Sequence, residues 1–183
     1  MKKKVLVPLA QGFEEIEAVT VIDILRRAGV EVTVAGLDNE NVKGSRGVTI
    51  VTDTDIDSVA DESFDAVVLP GGLDGTMNLA QDKRVINILR NQAQSGRINA
   101  AICAAPIVLQ EAGLLEGQDA TSHPAVRDRL KGFSYLEDRV VTSGRLITSR
   151  GPGTAMEFAF SLVTELAGEA AAREVNEGVM ARL

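Results

Sequence analysis

The chain has 183 residues, enough for one domain with a substantial buried core. Its composition is 45% hydrophobic and 25% charged, ordinary for a globular protein, and a net charge of −7 argues against a nucleic-acid-binding surface. Aromatic residues make up only 3%, so Val, Ile, Leu and Ala must fill the core, and a single Cys rules out an intrachain disulfide.

The basic start Lys2-Lys3-Lys4 resembles the n-region of a signal peptide, but the apolar run Val5 to Ala10 is too short for an h-region. No stretch approaches a membrane span, so a cytoplasmic location without a membrane partner is expected. Val5 to Leu9 reads as a strand buried on both faces. Gly12 turns the chain, and Glu14 to Ala28 has helical periodicity with Arg26 and Arg27 in its last turn and Gly29 beyond it. Val30 to Ala35 is a second strand, completing a βαβ unit. Gly44 to Thr52 reads as an extended arm.

Phe64 to Leu69 is a further strand, stopped by Pro70-Gly71-Gly72, and Asp82 to Ser95 is an amphipathic helix ending at Gly96. The strand Ile98 to Ile102 runs into Cys103, and a helix follows from Ala105 to Ala112. Asp119 to Ser122 is a short strand before His123-Pro124. Val140 to Thr142 and Leu146 to Ser149 are strands joined at Ser143-Gly144. Pro152 opens a helix to Ala167, and Gly168 separates it from a last helix over Glu169 to Ala181. Alternating strands and helices predict a doubly wound α/β sheet, mostly parallel, with helices on both faces. Sites in such sheets lie beyond the carboxyl ends of the strands, where the loops carrying Glu14, Glu15, Glu17, Gly71, Gly72, Cys103 and His123 should meet.

Cys103 is the candidate nucleophile. A cysteine on a strand-to-helix turn lies near free backbone amides, which favour the thiolate, and Ala100, Ala101, Ala104 and Ala105 are small enough for such a turn. The plainer alternative is a buried core cysteine. Glu14 and Glu15 read as ordinary carboxylates of a helix N-terminus. Glu17 precedes an apolar face; pointing inward beside a thiolate, it would have a raised pKa and would donate a hydrogen bond to sulfur or move protons. Gly72 and Ala104 can offer backbone N–H groups as an oxyanion pocket, whereas a simple turn is the alternative for Pro-Gly-Gly. His123, the only imidazole, falls in a site loop. One His and one Cys argue against a zinc site, and Gly151-Pro152-Gly153-Thr154 lacks the ending of a phosphate loop.

Glu14-Glu15-Ile16-Glu17, Leu69-Pro70-Gly71-Gly72, Ala100-Ala101-Ile102-Cys103-Ala104-Ala105-Pro106, His123-Pro124 and Thr148-Ser149-Arg150-Gly151-Pro152-Gly153-Thr154 occur in that order. This resembles the ThiJ/PfpI superfamily, on the branch of the Parkinson-disease-associated protein deglycase and its bacterial relatives. The resemblance implies one domain over residues 1–183, a flavodoxin-like sandwich, a homodimer, and no cofactor. It maps a reactive cysteine onto Cys103, a protonated glutamate onto Glu17, a nearby histidine onto His123 and oxyanion amides onto Gly72 and Ala104. It maps anion-binding arginines onto Arg27 and Arg46, with Arg46 reaching toward the partner's site. Gly44 stands where some relatives carry a second cysteine, so no two-cysteine relay is available. The implied activity is a cysteine-dependent, cofactor-independent glyoxalase or deglycase acting on methylglyoxal, glyoxal or their early adducts, with a role in carbonyl and oxidative stress. A redox sensor or chaperone through Cys103 sulfinic acid is the alternative. A peptidase or acyl hydrolase ranks behind both, because no complete triad is visible.

Overall fold

The computed structural model describes residues 2–38 and 40–181. Strand β1 (Lys4–Leu9) leads through helix α1 (Glu15–Arg27) to β2 (Glu31–Gly36). A hairpin, β3 (Asn41–Lys43) and β4 (Thr49–Val51), precedes a short β5 (Thr54–Asp55). Then come β6 (Ala66–Leu69), α2 (Leu73–Gln81), α3 (Lys83–Gln94), β7 (Ile98–Ile102) and α4 (Pro106–Glu111). The short β8 (Asp119–Ala120) and β9 (Ser134–Tyr135) are followed by β10 (Val140–Ser143), β11 (Leu146–Ser149), α5 (Ala155–Ala167) and α6 (Glu169–Val179).

Seven strands form one sheet in the order β10-β11-β7-β6-β1-β2-β5, parallel except for the antiparallel β10–β11 pair. Side chains alternate across it as the two-residue period of a strand requires. Val5, Val7, Leu9, Ala66, Val68, Ala100 and Ile102 enter one core with α1 and α5. Leu6, Val67, Leu69 and Ala101 enter the other with α2, α3 and α4. This is a flavodoxin-like doubly wound sandwich. The chain leaves β1 for β2 on one side and returns to β6 on the other, so the carboxyl ends of β1 and β6 border a crevice.

The structure departs from the expected elements in a few places. The arm begins at Asn41, with Gly44 to Val48 forming its turn rather than its start. Helix α2 was not anticipated. Its cap is Gly72, which has no side chain to signal a start, and Asp74, Gly75 and Asn78 are weak helix formers. Of the strand expected over Asp119 to Ser122, only Asp119 and Ala120 pair, and they join β9 outside the main sheet. The last helix stops at Val179, where Met180 turns left-handed (φ 55°).

Phe158, fully buried on α5, packs in the core that seats α1 on the sheet. Truncation leaves a cavity the backbone cannot close. Phe158→Ala should lower unfolding free energy by about 3–5 kcal/mol, read from the shift of a urea unfolding midpoint at unchanged slope.

Candidate active site

Cys103 follows the last residue of β7 and has φ 65°, a left-handed conformation unusual for a residue with a Cβ. Such strain costs about 1–3 kcal/mol and persists only where the surroundings impose it. Here the Cys103 amide donates to the Ser149 carbonyl at 3.0 Å, and its carbonyl accepts from the His123 amide at 2.8 Å. The end of β11 and the loop after β8 therefore clamp the elbow. Ala104 and Ala105 are buried, and their small side chains let the chain turn directly into Pro106 of α4.

Glu17 is the third residue of α1 and is fully buried. Its Oε2 accepts from the Gly71 amide at 2.7 Å, whereas Oε1 lies buried without a conventional hydrogen-bond partner. Burial pushes the Glu17 pKa up to about 7, against hydrogen bonds from the Gly71 amide and the Cys103 side chain. An orphaned carboxylate oxygen is costly, but a protonated one has a donor to offer to the sulfur.

The thiol does not behave as the turn alone suggests. Burial pushes Cys103 up to about 12, and the negative charge of Glu17 adds to the rise; amides of Ala104 and Gly72 pull the other way. Helix α4 has only six residues, so its macrodipole is a minor influence beside these direct contacts. The pair shares its last proton. With the proton on sulfur, Glu17 is a buried anion; with the proton on Glu17, the opposing charge is gone and the thiolate faces three donors. The sequence expectation of a thiolate therefore requires a protonated Glu17.

Gly71 and Gly72 make this contact possible. A Cβ on Gly71 would lie 2.6 Å from Glu17 Oε2 and 2.7 Å from the Cys103 Cβ. Gly72 has φ 87°, and a Cβ there would meet the Gly12 carbonyl oxygen and the Glu14 nitrogen. His123 is half-buried beside the elbow. Its Nδ1 accepts from the Ala125 amide at 3.2 Å, which leaves Nε2 to carry the proton of a neutral ring. The next carbonyl upstream, of Ser122, accepts from the Tyr135 hydroxyl at 3.0 Å, so β9 also anchors this loop.

Glu14 caps α1 as expected, accepting from the Glu17 amide at 2.8 Å. Glu15 does more than the sequence suggested. It is buried and accepts from the Arg46 amide at 2.5 Å, the Ser45 hydroxyl at 3.1 Å and the Val48 amide at 3.4 Å. Burial opposes its charge, but these donors outweigh it and hold its pKa below the ordinary range. Arg46 is thereby fixed by its backbone near the start of α1. Arg27 is not brought to the thiol. It lies at the far end of α1, roughly 18 Å along the axis from Glu15. There it pairs with Asp23 at 2.6 Å and borders a cavity of about 240 Å³ against Glu174 and Val175 of α6. Of the two arginines, Arg46 lies by the start of α1, held there by its backbone amide on Glu15.

Among the described residues, no group of three or more His, Cys, Asp or Glu is placed to hold a metal ion, and no helix is long and apolar enough to cross a membrane. Residues 3–165 match the DJ-1/PfpI family. Protein dj-1beta of Drosophila melanogaster is 49% identical over 183 residues, covering 98% of each chain. The crystal structure of Drosophila DJ-1beta superposes with a TM-score of 0.96, again over 98% of each chain at 49% identity. Protein DJ-1 homolog A of Arabidopsis thaliana is 44% identical over 179 residues; these are 97% of this chain but 46% of that longer protein. The glutathione-independent glyoxalase DJR-1.2 of Caenorhabditis elegans is 41% identical over 157 residues, 85% of this chain and 83% of that one. With its family match, its fold and its cysteine elbow in agreement, this chain belongs to the DJ-1/PfpI family.

Proposed function

We propose that the protein is a cysteine-dependent, cofactor-independent glyoxalase acting on methylglyoxal, glyoxal or their early adducts. The observation that carries this reading is the buried Glu17–Cys103 pair, an acid that can pass its proton while uncovering a thiolate. A relative named as a glutathione-independent glyoxalase supports it.

The thiolate adds to the aldehyde carbon of methylglyoxal, forming a C–S bond, and the carbonyl electrons become an alkoxide that takes the Glu17 proton. The amides of Gly72 and Ala104, aimed at the sulfur, also lie beside this oxygen as it forms. The Glu17 carboxylate, with His123 as a second proton carrier, then moves the aldehyde hydrogen as a proton to the neighbouring carbon through an enediol. The sulfur-bearing carbon is oxidised to a thioester and its neighbour reduced to an alcohol. Water hydrolyses the thioester, releasing lactate and the thiol. The sum is methylglyoxal plus water giving lactate, which needs no external oxidant or reductant.

A second reading has its own support. The same donors around Sγ would hold the oxygens of a sulfinic acid formed from two equivalents of peroxide, each releasing water. Oxidation and turnover compete for one thiol. We also read this chain as a cytoplasmic homodimer. Ile16 and Val19 on α1 and Val48 and Val51 on the hairpin are large apolar side chains left exposed, and the Glu15–Val48 contact joins the two elements.

Lactate formation from methylglyoxal should vanish in Cys103→Ala and fall at least about 100-fold in Glu17→Gln. Equal rates in wild type and Cys103→Ala would refute the enzyme. Cys103 alkylation should rise with pH through a midpoint near 7, the point at which the pair gives up the first of its two protons. Glu17→Gln should move that midpoint upward, because a buried thiol then titrates without a partner acid. An ordinary thiol profile near 8.5, unchanged by Glu17→Gln, would show that the pair is not coupled. Val51→Asp should convert the dimer to monomer in sedimentation velocity; a wild type that is already monomeric would remove the homodimer.

A further inference from the structure

The first turn of α1 has three carboxylates with three destinations. Glu14 holds the helix's own Glu17 amide, and Glu17 reaches inward to Gly71 and Cys103. Glu15 reaches outward to the hairpin turn. That turn is shaped around the Glu15 carboxylate: a Cβ on Gly44 would stand 2.5 Å from both its Cδ and its Oε1.

The remaining ties of the hairpin end on the segment just before α1. The Gly12 amide donates to the Lys43 carbonyl, and the Ser45 amide to the Phe13 carbonyl, each at 2.8 Å. The Gln11 side chain accepts from the Lys43 amide and donates to the Asn41 carbonyl. On the inner side, the Glu14 amide donates to the Gly71 carbonyl at 2.9 Å. A continuous hydrogen-bonded path therefore runs from hairpin to helix start to thiol pocket.

Two residues apart on a helix means about 200° of rotation, so Glu15 and Glu17 point to nearly opposite sides of α1. Anchoring one fixes the rotation of the other about the helix axis. We propose that Glu15 is a positioning residue for the thiol: by pinning the first turn of α1 to the 44–48 turn, it sets the helix rotation that holds Glu17 against Cys103. This rests on the reading of Cys103 and Glu17 as the reacting pair. The titratable groups facing that pair are Glu14 on α1 and His123 after β8, and the Glu15 carboxylate bonds to neither of them, its partners being the Ser45 hydroxyl and the Arg46 and Val48 amides.

The test is iodoacetamide alkylation of Cys103 as a function of pH, beside methylglyoxal kinetics, in Glu15→Ala, Glu15→Asp and Glu15→Gln. A displacement of about 1 Å at a reacting group can cost on the order of 100-fold. Glu15→Ala should slow alkylation at pH 7 by at least about 10-fold, move its midpoint toward that of Glu17→Gln, and lower kcat with KM little changed. Glu15→Asp, one methylene short of the Arg46 amide, should fall between Glu15→Ala and wild type. Glu15→Gln keeps an acceptor for the Arg46 and Val48 amides and should recover most of the reactivity. If Glu15→Ala does not fold, the Glu15→Asp profile decides. A folded variant that loses thermal stability but keeps the wild-type alkylation profile overturns the proposal. Alkylation requires no turnover, so absence of lactate in wild type would count against the glyoxalase reading without touching this one.

Discussion

The contact between Glu17 and Cys103 is the constraint around which the rest of the site is arranged. A carboxyl group with no exposed surface and a pKa near 7 is a liability to folding. Its folded pKa lies above the unfolded value, so whatever it contributes is present at low pH and lost as the pH rises through about 7. Above that range the folded protein must hold either a buried carboxylate or a buried thiolate. A core built for stability alone would place an apolar side chain at position 17. On the proposed reading the acid is kept for its chemistry, because a proton that is easily exchanged between oxygen and sulfur is what a nucleophilic thiol needs.

The sheet topology supplies the parts in the right order. β6 and β1 are neighbours, so Gly71 after one meets α1 after the other; β7 lies next, and β11 beyond it supplies the Ser149 carbonyl that fixes the elbow. Each part then imposes a composition. Position 71 accepts only glycine because two functional side chains cross where its Cβ would be. The left-handed backbone at Cys103 is held by hydrogen bonds from both directions rather than by a glycine, which keeps a side chain at the one place where strain would otherwise remove it.

Much of this was legible in the sequence because it is local. The buried strands Val5 to Leu9 and Ile98 to Ile102, the helix behind Gly12 and the small residues flanking Cys103 all declare themselves by period or by size. Glu17 could be separated from Glu14 because an apolar face follows it. What failed was non-local. The role of Glu15 depends on a hairpin 30 residues away, and its pattern matches an ordinary helix start. Arg27 looked equivalent to Arg46 through family resemblance, yet 13 residues of helix carry it to the opposite end of the sheet. Helix α2 escaped because its start is encoded in a backbone conformation at Gly72, not in a capping side chain. The thiol pKa is hidden in the sequence for a related reason: proximity to amides is readable from a turn, but the opposing weight of burial and of a carboxylate from another element is not.

The same economy bears on the choice between turnover and oxidation. Both begin with the thiolate, and both benefit from the Gly72 and Ala104 amides. They differ in what is asked of Glu17. Sulfinic acid formation needs only a donor held still, a task that a glutamine amide can also perform. Isomerising a hemithioacetal needs the proton to leave the carboxyl group and a base to be present a moment later. A pKa near 7 lies where one group serves in both forms at neutral pH, whereas a donor alone would be better fixed by a much higher value. On the proposed glyoxalase reading, Glu17 is suited to cycle its proton, and on the sulfinate reading it need only hold it.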